Sequence, residues 1–154
     1  MKLRLLAVGT KSPAWIRSGF DEYAKRLPPE MPLELIEIAA PKHRGGADKF
    51  IQVEGAKMAA HIKDGDWVVA LEENGRQVSS AQLAHKLDDW RMHGRDVTFL
   101  VGGSDGLSDE VTRRANERMS LSALTLPHYL VRVMLAEALY RAWSICTGHP
   151  YHRA

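Results

Sequence analysis

Apolar residues alternate along this chain between short runs with strand character and longer stretches that repeat at helical spacing. Leu3 to Val8 reads as a first strand. Ser12 and Pro13 then open a helix, with Ser12 as an N-cap worth about 1 kcal/mol. In it Ile16, Phe20, Tyr23, Ala24 and Leu27 share one face, and Pro28-Pro29 forbids its continuation. Leu33 to Ile38 is a second strand. Residues 41–48 read as a mobile basic loop, followed by a helix that buries Ile51, Met58, Ala59 and Ile62 and ends at Asp64-Gly65. A third strand is predicted at 67–71 and a turn at Glu73-Asn74-Gly75-Arg76. Ser79 and Gln82 form a capping box for the helix that carries Leu83, Leu87 and Trp90, and Gly94 closes it. Residues 96–101 give a fourth strand and 102–107 a glycine-rich loop, and Ser108, Asp109 and Glu110 suit the start of a fourth helix. The fifth strand is predicted at 121–126. Pro127-His128 leads into a last helix over 129–147, stopped by Gly148 and Pro150.

Strands alternating with helices in this way predict one α/β domain built on a mostly parallel sheet of five or six strands. The last helix stands apart from the others. Leu130, Val131, Val133, Met134, Leu135, Leu139, Trp143 and Ile145 wrap apolar residues around most of it, with Arg132, Glu137, Tyr140 and Arg141 as polar interruptions. One sheet cannot cover every side of such a helix, so its second face is expected on another subunit, in a symmetric homodimer.

Composition adds bounds. At 154 residues, 45% hydrophobic and 26% charged, the chain has the balance of a soluble globular domain with no room for a separate RNA-binding domain. It has no apolar run of about 18 residues and no cleavable signal after Met1-Lys2-Leu3-Arg4, so a cytoplasmic location without a membrane partner is expected. The single cysteine, Cys146, reads as a buried, inert thiol. Net charge is only +2. Lys42, His43 and Arg44 in the loop, and His149, His152 and Arg153 at the end, read on charge alone as solvated groups.

In open α/β sheets ligands settle beyond the carboxyl ends of strands, which singles out the loops after Leu71, Val101 and Leu126. Adjacent Gly102 and Gly103 at a strand end let backbone approach a ligand closely, although a tight turn would use the same residues. Ala7-Val8-Gly9-Thr10-Lys11 is not a dinucleotide fingerprint, and no phosphate-binding Gly-Lys-Ser/Thr occurs. There is no zinc-type spacing, His149 and His152 being a lone pair, so no metal is predicted. A glycine-flanked serine elbow is also missing.

Several segments, in order, carry a more specific signal. They are Gly102-Gly103-Ser104-Asp105-Gly106-Leu107, Ser120-Leu121-Ser122-Ala123-Leu124-Thr125-Leu126-Pro127-His128, Tyr140-Arg141-Ala142-Trp143 and Gly148-His149-Pro150-Tyr151-His152-Arg153. With Ala7 to Lys11 and the Leu33 to Ile38 strand, they make the chain resemble the RlmH family nearly end to end. The resemblance implies a SPOUT-type fold with a C-terminal trefoil knot. It also implies transfer of methyl from S-adenosyl-L-methionine to N3 of a pseudouridine in 23S rRNA of the assembled ribosome. The cofactor would then be lined by Leu71, Gly102 and Gly103, and by Leu121, Ser122, Ala123, Leu124, Thr125 and Leu126, against backbone and aliphatic side chains with few charges.

Methyl transfer needs the nucleophile aligned with the methyl carbon, and positioning alone can be worth roughly 7 to 11 kcal/mol. N3 carries a proton at neutral pH, so a base must remove it or a cation must stabilise the anion left behind. His128, His152 and Arg153 are the candidates, with Tyr151 to stack on the splayed base and Arg153 to hold phosphate or developing charge. Glu137 and Arg141, one helical turn apart, are secondary candidates that would also suit a simple mutual pair. The tail of one subunit would complete the pocket of the other. Rival readings are a knotted methyltransferase acting on tRNA or another rRNA site, and a catalytically silent ribosome-binding or small-nucleotide-binding α/β module.

Overall fold

The computed structural model describes residues 1–41 and 46–153, so the expected basic loop of Lys42, His43 and Arg44 lies outside the described residues. Five strands form one sheet: β1 (Leu3–Val8), β2 (Leu33–Ile38), β3 (Trp67–Gln77), β4 (Val97–Val101) and β5 (Glu117–Ser120). Their order is β2-β1-β4-β3-β5, and every neighbouring pair runs parallel. The helices are α1 (Ala14–Ala24), α2 (Ala47–Ala59), α3 (Ser80–Met92), α4 (Asp109–Arg114) and α5 (Leu130–Thr147), and a 3-10 turn at Pro150–Arg153 follows.

Period-two alternation along the strands sorts the core into two layers. Leu3, Leu5 and Ala7 of β1 face α1, α3 and α5, packing with Phe20, Leu83, Leu87, Leu135 and Leu139. Leu6 and Val8 face α2 and α4, with Met58, Leu100 and Val111. Helices on both faces explain why β1 and β4 are buried at every position, as parallel strands require.

The expected caps are present at three helix ends. Ser79 and Gln82 make the reciprocal capping box of α3, Ser108 accepts from the Val111 amide at the start of α4, and Gly148 ends α5 in the left-handed region at φ +72°. Three expectations need correction. The N-cap of α1 is Pro13, with no side-chain hydrogen bond, so Ser12 does not cap it. Residues 73–76 are not a turn between elements but belong to β3, where Leu71 and Arg76 both pair with Met119 and the residues between them bulge outward. Glycine is required in that bulge, since a Cβ at Gly75 would lie 2.8 Å from the Met119 backbone nitrogen.

The third correction concerns β5, which spans Glu117–Ser120 and not 121–126. The Ser120 hydroxyl donates to the Ser122 carbonyl at 2.8 Å, turning the chain off the sheet, and Leu124 is left 73% exposed. Residues 121–126 are therefore a loop.

At the opposite end of the sheet, Arg4 of β1 is buried against Asp66 and Thr98, and one guanidinium nitrogen donates to the His61 carbonyl at 3.0 Å. Removing one member of a buried pair strands the other charge. Asp66→Ala is expected to lower unfolding free energy by about 3 to 5 kcal/mol. Denaturant titration checks this, and a loss within about 0.5 kcal/mol, as for an exposed site, would refute it.

Candidate active site

All five strands point their carboxyl ends the same way, and β4, β3 and β5 are adjacent although the chain visits them in the order three, four, five. The β3 bulge and the loops after β4 and β5 are thereby brought together, and they enclose a cavity of about 630 Å³. Leu71, Glu72, Glu73 and Asn74 supply the β3 wall, Val101 through Leu107 the β4 wall, and Ser120 through Ser122 with Leu124 through Leu126 the third. His128 and Val131 close the end nearest α5.

The glycine loop is shaped by contacts that leave no room for side chains. A Cβ at Gly102 would collide with the Gly106 carbonyl, and the Gly106 amide donates to the Gly103 carbonyl at 3.0 Å. Gly103 backs onto the Glu54 carboxylate, 3.1 Å from where its Cβ would be. Burial, then the nearby Asp105 charge, pushes the Glu54 carboxyl above the usual carboxylate range. The third wall is shaped by its own hydroxyls and one long-range tie: the Leu124 amide donates to Ser122 Oγ at 2.9 Å, and Thr125 Oγ1 donates to Glu73 Oε1 at 2.7 Å. That tie fastens the loop to the β3 bulge. Thr125→Val removes it and is expected to weaken binding of a ligand in the cavity about fivefold, readable by calorimetry; unaltered affinity would show the tie to be idle.

The candidate cofactor-binding residues Leu71, Gly102, Gly103, Leu121, Ser122, Leu124, Thr125 and Leu126 all line this cavity. Ala123 is exposed and is not among them. The expectation of few charges is corrected for the β3 side, where the bulge brings in Glu72 and Glu73, and Arg118 pairs with Glu72 and donates to Asn74 at 3.3 Å. Periodicity carried no signal for this rim, because a bulge is set by the pairing of β3 with β5.

Of the candidate catalytic residues, His128 alone lines the cavity; its Nε2–H donates to the Val8 carbonyl at 2.6 Å. The others gather elsewhere. The chain reverses after Gly148 and packs back on α5, so that the Tyr151 ring lies tilted against Tyr140 with centroids 4.6 Å apart, with the Arg141 guanidinium 4.9 Å and that of Arg26 6.0 Å from its ring centre. The Tyr151 hydroxyl donates to Glu137 at 3.1 Å, and Arg141 Nε donates to the same carboxylate oxygen at 2.9 Å. Burial, reinforced by Glu137, pushes the Tyr151 hydroxyl up to about 12. His152 donates from Nδ1 to the His149 carbonyl at 2.6 Å, and Arg153 is exposed. Cavity and tail are thus two separate clusters within one chain.

One residue carries more than its place in the sequence suggested. Arg132, read there as a polar interruption, is fully buried and ion-paired with Glu37 at 2.8 Å. An arginine in the apolar first turn of α5 was the available signal, but its partner is 95 residues away. On the same helix Met134 is 37% exposed, in a stripe with half-buried Leu130, Ala138 and Ile145. Burial pushes the Cys146 thiol up to about 11, as befits an unreactive group. Among the described residues, no group of three or more His, Cys, Asp or Glu side chains could hold a metal ion, and no helix is long and apolar enough to cross a membrane.

Comparison with known proteins places this geometry in a family. A family model described as a predicted SPOUT methyltransferase matches residues 1–152. The chain is 54% identical to the ribosomal RNA large subunit methyltransferase H of Hahella chejuensis, over 99% of each chain. It is 53% identical to that of Burkholderia ambifaria, over the full length of both. Solved structures of a probable methylase family protein from Haemophilus influenzae (TM-score 0.60, 12% identity, 97% of this chain and 69% of that one) and of a putative methylase family protein from Neisseria gonorrhoeae (0.55, 16%, 90% and 81%) share the fold. This chain, with its β3 bulge and the loops after β4 and β5 closed on one cavity, belongs to the SPOUT methyltransferases, in the branch of the ribosomal RNA large subunit methyltransferases H.

Proposed function

We propose that the chain is a 23S rRNA (pseudouridine-N3)-methyltransferase that uses S-adenosyl-L-methionine and acts on the large-subunit RNA of the assembled ribosome. The observation that carries this reading is the convergence of the β3 bulge and the loops after β4 and β5 on a cavity of about 630 Å³, in the range of small-molecule sites. The cavity fits the cofactor in chemistry as well as size. Bare backbone at Gly102 and Gly103 offers amides and carbonyls where any side chain would intrude, and Leu71, Leu121 and Leu126 offer apolar surface for an adenosine. Glu73 and Asp105 bring negative charge toward a cationic ligand.

When bound, the cofactor supplies an electrophilic methyl carbon. The chain itself must align the base and manage its proton. Because His128 gives its Nε2–H to the Val8 carbonyl, Nδ1 is the nitrogen left to accept a proton from N3 of the base. Tyr151, protonated at neutral pH and committed to Glu137, serves to fix the tail, so that His152 and Arg153 face the RNA as proton or charge partners.

In this reading the chain is a single domain that works as a cytoplasmic homodimer through the uncovered stripe of α5, with its C-terminal part threaded as a trefoil knot. The tail of each subunit completes the cavity of the other, since within one chain the two clusters stay apart. With a net charge of only +2, affinity for free RNA is expected to be low, which suits recognition of a shaped ribosomal surface. The test is mass spectrometry of 23S rRNA from a strain lacking its own enzyme and supplied with this chain. Appearance of N3-methylpseudouridine supports the reading; methylation of tRNA or of another rRNA position instead would overturn it.

A further inference from the structure

The first turn of α5 holds a side chain that packing alone does not require. Every other buried position along that helix, apart from Ser144, is filled by an apolar residue or by Tyr140, and a leucine at 132 would serve the core without taking an ion out of water. What Arg132 does instead is bond. Nη1 donates to Glu37 at 2.8 Å, and Nη2 donates to the Val8 and Gly9 carbonyls at 3.1 and 2.8 Å. The guanidinium also lies 4.7 Å from the centre of the Tyr129 ring.

These bonds gather at the carboxyl end of β1, where strand carbonyls have run out of partners. The Val8 carbonyl accepts from His128 as well, at 2.6 Å, and His128 is part of the cavity wall. Gly9 has φ +116°, and a Cβ there would sit 2.6 Å from the Tyr129 hydroxyl oxygen. Three side chains within five residues, His128, Tyr129 and Arg132, therefore seize one strand end. The loop just before them, 121–126, has no strand to pair with, and its long-range side-chain hydrogen bond among the described residues is that of Thr125 to Glu73.

We propose that the pair of buried Arg132 and partly exposed Glu37 is a clasp that positions this loop and His128, setting the width of the cavity without touching its ligand. The proposal rests on the reading of that cavity as the S-adenosylmethionine site. Arg132 and Glu37 are positioning residues in this scheme. They lock the end of β1 and the end of β2 to the first turn of α5, so the third wall stands at one distance from the Gly102–Gly103 backbone.

The test compares folding and S-adenosylmethionine affinity in Arg132→Met/Glu37→Leu, Arg132→Lys and Glu37→Gln, by thermal unfolding and calorimetry, with KM and kcat on ribosomes. The double variant leaves no stranded charge, so its melting point should stay near that of the wild type while cofactor affinity falls about tenfold or more and KM for the cofactor rises in step. Lysine at 132 keeps the ion pair but cannot also span both carbonyls; its melting point should likewise stay near that of the wild type while only part of the affinity is retained. Glu37→Gln, which retains a neutral acceptor, should cost about threefold and guards against a double variant that fails to fold. Wild-type affinity in both Glu37→Gln and the double variant would overturn the clasp alone. Absence of cofactor binding by the unmodified chain would overturn the cavity assignment and the clasp with it.

Discussion

Gly102→Val is expected to lower affinity for S-adenosylmethionine by about 100-fold while the protein stays folded. The first side-chain carbon at this position would meet the Gly106 carbonyl and come within 2.9 Å of the Leu107 amide nitrogen, both backbone groups that cannot rotate away. The loop must shift as a whole, and the cavity wall it forms shifts with it. Overpacking of this kind costs typically 1 to 3 kcal/mol, which corresponds to a drop of about 3 to 9 °C in the unfolding midpoint of a chain this size. Calorimetry with the cofactor, alongside circular dichroism, separates loss of the site from loss of the fold. Affinity equal to that of the unaltered chain would remove the glycine loop from the site.

The second large effect concerns the tail. Arg153→Ala combined with His152→Ala is expected to abolish methylation of ribosomes while leaving cofactor affinity unaltered, because neither residue lines the cavity of its own chain. Gly102→Val suppresses it by the other route when the cofactor is held near the unaltered chain's dissociation constant, where a 100-fold loss leaves about 1% of sites filled. When the two inactive proteins are unfolded together and reassembled, random pairing makes half the dimers mixed, and each mixed dimer holds one site with both parts intact. About a quarter of wild-type activity should return. No recovery would mean that tail and cavity act within one chain, and the distance implied by their separate packing would need another explanation.

How far the sequence could be read follows from the range over which each signal acts. The strands Leu3–Val8 and Leu33–Ile38, the capping box at Ser79 and Gln82, and the stop at Gly148 are matters of neighbouring residues, and they appear in the structure as the pattern implied. Gly102 and Gly103 stood out because adjacent glycines at a strand end are themselves a local signal. The apolar run at 121–126 misled for the same reason. It has strand composition, but the Ser120 hydroxyl turns the chain away before it can pair, and nothing in the run itself reports that event. Glu73, Asn74 and Gly75 have turn composition, and only the register against Met119 makes them a bulge that walls the cavity. Ser12 has the chemistry of an N-cap, yet the helix opens at Pro13 without it.

By itself the sequence determined the succession of elements, the parallel α/β class, the glycine loop and, through its ordered segments, the family. Those properties depend on spacing of a few residues, where the periods of helix and strand and the conformational freedom of glycine leave their mark directly. Tertiary structure decided which groups meet: Arg132 with Glu37 across 95 residues, Thr125 with Glu73 across 52, and the tail with Glu137 and Tyr140 of α5 instead of with its own cavity. Such partners are selected by how layers pack and where chain reversals fall, and two side chains far apart in sequence carry no common period that would announce their contact.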